Sequence, residues 1–202
     1  MGHKFAELAF TPNVRAEQER NGSRNFYARM EGGEARNDRL GIAEAGFIGD
    51  RDSFYMATVT ETGWPYIQHR GGPQGFVRVL DPTTLGFADF RGNRQHVSVG
   101  NLAASDRVAM FFMDYPNRTR LKLLGRVTIV NSQEGEAISR LVAPGYPAVV
   151  ERGFIITVEA FDWNCPQHIT PRFTLEDVEQ ASAALHQRIA ELEGEVACLR
   201  RV

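Results

Sequence analysis

Cysteine is scarce in this chain, with only Cys165 and Cys198 among 202 residues. That excludes a dense disulfide framework. A dominant charge is missing too: 23 Lys and Arg stand against 25 Asp and Glu, a formal net charge of −2. No electrostatic case follows for nucleic acid or an anionic membrane. Nor does any apolar run approach the roughly 20 residues a spanning helix needs. The N-terminal stretch MGHKFAELAF lacks the sustained apolar segment of a signal peptide. These absences predict a cytoplasmic protein with neither nucleic-acid nor membrane partners. Catalytic signatures are lacking as well. There is no P-loop, no G-x-G-x-x-G after a strand, no G-x-S-x-G and no H-E-x-x-H. Cys165 and His168 have the spacing C-x-x-H, but no second pair completes a zinc set, so no metal is expected.

What is present fits a soluble globular protein: 43% hydrophobic and 24% charged residues. The length supports one domain with a real core and an appendage. From Ser53 onward, β-branched and aromatic stretches alternate with short turns. They are SFYMATVT, WPYIQHR, FVRVL, LGFADF, RVAMFFMDY, RLKLLGRVTIV and GFIITVEAFDW. With FVRVL read as the strand WPYIQHR resumed after GGPQG, about six strands in close succession, with few and short helices between them, favour antiparallel pairing. The predicted fold is mainly β with helices (α+β), an antiparallel six-stranded split or closed barrel. Residues 1–50 form an N-terminal helical or irregular segment packing on the barrel, 51–173 the barrel, and 174–202 a C-terminal helix.

The tail has its own pattern. Val178, Leu185, Ile189, Leu192, Val196 and Leu199 follow a heptad seam. In a parallel pair, Arg188 would face Glu193 of a second copy, and Glu195 would face Arg200. The alternative is a helix lying on its own domain, and Gly194 weakens the helix either way.

Three stretches can carry chemistry. DFRGNRQHVSVGN, residues 89–101, puts Gly92, Asn93, Arg94 and Gln95 at a strand-to-helix corner, with Arg91 beside them. A helix N-terminus offers free N–H groups to an anion, and arginine adds forked donors. A solvated turn is the plainer reading. QHRGGPQG, residues 68–75, breaks a strand with Gly71, Gly72 and Pro73 just after Gln68, His69 and Arg70. This is either a bulge facing water or one that aims Arg70 and backbone N–H groups at a ligand. FDWNCPQHITPRF, residues 161–173, offers Trp163 as a cover for an aromatic ligand and Arg172 for an anion. Cys165 has no evident base or orienter and is read as structural or ligand-lining. No catalytic residue is assigned, although His69 and His168 are the best candidates for proton transfer.

The run FYMATVTETGWPYIQHRGGPQGFVRVLDPTTLGFADFRGNRQHVSVGNL, followed by DRVAMFFMDY and RLKLLGRVTIV, resembles the pyridoxamine 5'-phosphate oxidase-related, FMN-binding split-barrel family. The resemblance covers roughly residues 15–173. It implies FMN as cofactor and a homodimer with each flavin in the cleft between two barrels. It places the FMN phosphate at Asn93, Arg94 and Gln95. Gln95 stands where better-known members carry a second cation, so Arg70 becomes the candidate for the missing charge. Ala88 and Asp89 match the segment that meets the flavin from a strand end, with Gln68, His69, Gly71 and Gly72 nearby. Arg120 matches a glutamine close to the cofactor. Trp163 and Arg172 correspond to a tryptophan and an arginine at the flavin edge. The R-x-H motif that grips the substrate phosphate in true pyridoxamine phosphate oxidases is replaced by CPQHITPRF. The implied function is therefore an FMN-dependent oxidoreductase on another small molecule. The alternatives are a flavin carrier or sensor without turnover, or a haem- or F420-binding relative.

Overall fold

Period-two alternation of burial marks the strands Ser53–Val59, Pro65–Gly71 and Arg107–Asp114, whereas Thr84–Phe90 is buried through five consecutive residues. The structure is a computed structural model that describes residues 2–32, 35–133, 135–163 and 166–200. In chain order the elements are β1 (Gly2–His3), α1 (Lys4–Ala9), α2 (Pro12–Arg20), α3 (Arg24–Tyr27), β2 (Ala35–Arg36), α4 (Ile42–Gly49), β3 (Ser53–Val59), β4 (Pro65–Gly71), β5 (Arg78–Asp81), β6 (Thr84–Phe90), α5 (Val97–Ala104), β7 (Arg107–Asp114), β8 (Thr119–Asn131), α6 (Gly135–Ser139), β9 (Val150–Trp163) and α7 (Leu175–Leu199). Two compact units are present. One comprises Met1–Asp114 with Arg120–Cys165, the other Tyr115–Thr119 with Pro166–Val202.

In the first unit, the main sheet runs β4-β3-β7-β8-β9-β6-β5. Each pairing with a described register is antiparallel. Seven strands stand where the sequence suggested about six, because Arg78–Asp81 forms a short edge strand of its own. β1 and β2 add a two-residue parallel ladder that no hydrophobic period announces. Phe54, Met56 and Thr58 of β3 are buried, while their odd-numbered neighbours are not. The same alternation buries Val108, Met110 and Phe112 on β7.

The sheet is strongly curled. β3 and β6 stand four places apart in the order, about 19 Å in a flat sheet at ~4.8 Å per strand. Yet the Phe54 and Phe87 rings lie 5.0 Å apart, edge to face. Phe76, Phe112 and Phe154 complete this aromatic interior. The result is the antiparallel α+β split-barrel architecture. The N-terminal residues belong to the same unit. Ile48 of α4 is fully buried in the barrel core. The N–H of Leu40 donates to Pro82 O at 2.6 Å, and that of Phe161 to Asn37 O at 2.7 Å.

The second unit is dominated by α7. Thr174 and Asp177 form a reciprocal capping box at its start, with the Asp177 N–H donating to Thr174 Oγ1 at 3.1 Å. None of its residues is buried. No helix among the described residues is long and apolar enough to cross a membrane.

Candidate functional site

The ends of β4, β6 and β9 meet the start of α5 at one mouth of the barrel. On β4 the inward positions are Tyr66, Gln68 and Arg70. On β6, Asp89 shares the inward face of Leu85 and Phe87, which buries a carboxylate. β4 and β6 are five places apart in the sheet, so only curvature brings Arg70 to Asp89. The Arg70 Nη1 donates to Asp89 Oδ1 in a charge-assisted pair. Its guanidinium also lies 5.4 Å from the Phe154 ring centroid. The second oxygen of Asp89 lies 3.2 Å from Arg152 Nε, whose residue is Asp89's register partner on β9. One buried carboxylate thus holds two guanidiniums. The Nε of Arg70 is buried with no hydrogen-bond partner.

Beyond Asp89 the chain turns through the corner. The Asn93 side chain accepts the Gln95 N–H at 3.1 Å, a local Asx turn. Arg94 has φ of 60° and His96 φ of 53°. Two non-glycine residues in the left-handed region within one turn are strained, a cost of about 1–3 kcal/mol each that clusters at functional sites. His96 caps α5 without a side-chain bond to the helix. The first-turn N–H groups of α5 have no intrahelical acceptor and face this corner.

Glu151 organises the rim. It lies 3.0 Å from Arg91 Nε, 3.3 Å from Arg152 Nη2 and 3.9 Å from Arg94 Nε. The Arg91 hydrogen bond, with Arg152 adding to it, holds its carboxyl below the usual glutamate range against the opposing effect of burial. Arg94 itself is 68% exposed, and among the described residues that long contact is its ion pair. Behind the corner, Ser98 Oγ donates to Gln68 Oε1 at 3.0 Å. The buried Asn101 donates to Thr58 Oγ1 at 2.8 Å and pins α5 to β3. Arg70, Asp89, Arg94, His96, Ser98 and Glu151 are among the residues that line a cleft of about 200 Å³.

Of the residues singled out in the sequence, this cleft gathers Gln68, Arg70, Asp89, Asn93, Arg94 and Gln95. The others lie elsewhere. His69 sits on the outward face of β4, its ring 5.6 Å from that of Tyr55. Gly71 ends β4 on the same outward face, opposite Ser53. Gly72 has a packing role, since a Cβ there would come within 2.6 Å of the Phe76 ring. Ala88 points into a second core cluster with Val130, Ile138 and Leu141. Trp163 ends β9, with its indole N–H donating to Glu44 Oε1 at 2.8 Å and its ring against Phe47. It is eleven residues from Arg152, about 36 Å along the strand at ~3.3 Å per residue. Arg120 is at that same end, next to Leu121, the register partner of Trp163, and its Nε is buried without a partner. Arg172 is exposed in the second unit, its guanidinium 4.8 Å from the Tyr115 ring centroid. His168 is also exposed there. Cys165 lies outside the described residues. Among those residues no group of three or more His, Cys, Asp or Glu side chains is arranged to hold a metal.

Four rim residues had no signal in the sequence strong enough to single them out: Tyr66, His96, Glu151 and Arg152. Only strand register places Arg152 against Asp89.

A basic corner at a helix start, mounted on a curled antiparallel sheet, agrees with the family model that the sequence matches. Residues 43–155 match the model described as pyridoxamine 5'-phosphate oxidase, more than half of the chain. The chain belongs to the pyridoxamine 5'-phosphate oxidase family. No curated protein matches it significantly. Several solved structures resemble it. An FMN-binding protein from Syntrophomonas wolfei subsp. wolfei is 14% identical, with 76% of this chain and 95% of that chain covered and a TM-score of 0.47. HupZ of Group A Streptococcus is 16% identical, covering 66% and 100%, with a TM-score of 0.46. An F420 reductase is 18% identical, covering 61% and 98%, with a TM-score of 0.45. At such values these likenesses add nothing to the family membership.

Proposed function

We propose that this protein binds FMN at the β6–α5 corner and acts as an FMN-dependent oxidoreductase on a small molecule other than pyridoxamine 5'-phosphate. One observation carries the reading. Arg94 stands exposed and weakly tethered at a strained corner, above the free N–H groups of α5. That is an anion site whose cation is not committed to another partner. Arg70 and Arg152 stand behind it, and Asp89 holds both so that they face the ligand without reorganising. The unpartnered Nε of Arg70 is a donor awaiting an acceptor. Ser98 fixes the carboxamide oxygen of Gln68 and leaves its NH2 to donate to a ribityl or ring oxygen. When bound, the isoalloxazine ring supplies hydride or electron exchange, and the protein supplies position and charge.

A cleft of about 200 Å³ is smaller than the ~300–1,000 Å³ usual for cofactor sites. Arg120 and Trp163 lie at the far end of β8 and β9. Both facts favour a homodimer in which the corner of one chain and the Trp163 end of another enclose one flavin.

The test is the absorbance spectrum of the purified protein, followed by mass measurement of the released chromophore. FMN is the expected mass. A haem, a deazaflavin, or a colourless protein that fails to take up added FMN would overturn the assignment. Reduction by NADH or NADPH, then reoxidation by an acceptor, separates an enzyme from a flavin carrier.

A further inference from the structure

α7 leaves a continuous apolar stripe uncovered. Val178 is 54% exposed, Leu185 66%, Ile189 52%, Leu192 43% and Val196 44%. Over 25 residues, about 37 Å at 1.5 Å per residue, no side chain of the helix is buried. An isolated amphipathic helix gains most of its stability by burying such a face. The stripe therefore has a partner, and the residue types indicate which.

In heptad notation, Ile189 and Val196 occupy a, and Leu185, Leu192 and Leu199 occupy d. β-branched residues at a with leucine at d select a parallel two-stranded coil. Ser182 is the polar exception at an a position, and its hydroxyl donates within its own helix to Val178 O at 2.7 Å. A shallow hollow on the helix is framed by Ile189, Leu192, Glu193, Val196, Ala197 and Arg200. The first four are positions a, d, e and a, those that form the hole for a d knob from a facing helix.

Charge completes the match. Parallel pairing sets each g residue against the e residue of the next heptad on the facing helix. Arg188 then meets Glu193, and Glu195 meets Arg200. Both pairs attract, and two-fold symmetry doubles each. Gly194 falls at f and Cys198 at c, outside the seam, so neither interrupts it.

We infer that α7 is a self-association helix whose occupant is α7 of a second copy of this chain, in parallel and in register. This inference does not depend on the flavin site.

The test uses the full chain with Cys165→Ser and Cys198→Ser. In that background Leu185→Cys and, separately, Leu192→Cys each place a thiol at a d position. Parallel in-register helices bring identical d residues within disulfide reach, with Cα atoms less than about 7 Å apart. Mild oxidation is expected to shift most of either variant to twice the chain mass on a denaturing, non-reducing gel. Ala183→Cys, at outward position b, is expected to stay monomeric on the same gel. Circular dichroism and gel filtration before oxidation establish that each variant is folded. An antiparallel seam sets a against d. It would leave Leu185→Cys uncrosslinked with itself while mixing it with Val196→Cys gave a disulfide, and that result would overturn the parallel arrangement. No crosslink in either d variant, together with none on mixing Leu185→Cys with Val196→Cys, would overturn self-association altogether.

Discussion

Arg94→Ala removes a corner cation that the protein holds only weakly for itself. In the unliganded chain the side chain is 68% exposed and reaches Glu151 only at 3.9 Å. An exposed contact of that kind contributes at most about 1 kcal/mol and often nothing. The variant is therefore expected to fold and melt like the parent. With FMN bound, the guanidinium makes charge-assisted hydrogen bonds to the phosphate, each about 1.5–3 kcal/mol. Arg70 and Arg152 remain behind the corner, so the loss is partial. FMN affinity should fall by about tenfold to a hundredfold, since ~1.4 kcal/mol is one decade. Riboflavin, which lacks the phosphate, should lose far less. Both ligands can be titrated against parent and variant by flavin fluorescence quenching. Equal losses for the two would mean that Arg94 supports the fold, and no loss for either would mean a solvated corner with the phosphate held elsewhere.

Asp89→Ala should be far more damaging to the protein itself, because it strands Arg70 at a largely buried position and leaves Arg152 with Glu151 alone. About 3–5 kcal/mol of stability is at stake, measurable by chemical denaturation, and a loss under 1 kcal/mol would show that the three groups are well solvated. Gly72→Ala is expected to lower the melting temperature by overpacking the Phe76 ring, about 1–3 kcal/mol, with the affinity of the folded fraction for FMN unchanged. A selective loss of FMN binding without destabilisation would restore a ligand role for that glycine. Glu151 has a carboxyl pKa depressed in the fold by Arg91 and Arg152. Its contribution to stability is then fully present above the ordinary glutamate range and is lost as pH falls through the depressed value. The stability difference between the parent and Glu151→Gln should shrink across that acidic window, and a difference independent of pH would contradict the rim geometry.

Much of this fold was legible because local pattern and tertiary demand coincide. Period-two alternation in SFYMATVT and RVAMFFMDY marks β3 and β7, since a strand with one face in a core must alternate. Thr11-Pro12 and Thr174 announce the starts of α2 and α7 because capping is a property of a few adjacent residues. The Gly-Asn-Arg-Gln corner was readable for the same reason: a basic turn at a helix start is built from one continuous stretch. The sheet's curvature was not. Nothing local to Arg70 or Asp89 says that they meet, because their contact depends on five intervening strand-to-strand rotations. Register was equally hidden. Arg152 reaches Asp89 only because β9 pairs with β6 in one alignment, and a slip of one residue would put it on the other face. Side-chain direction was hidden too: His69 and Ala88 are sequence neighbours of cleft residues, and the pleat turns them to the other face. The sequence by itself determined most of the longer elements and the basic corner, through interactions a few residues long. Only the tertiary structure decided which distant charges share the cleft, because strand order, twist and register are set by the whole sheet at once.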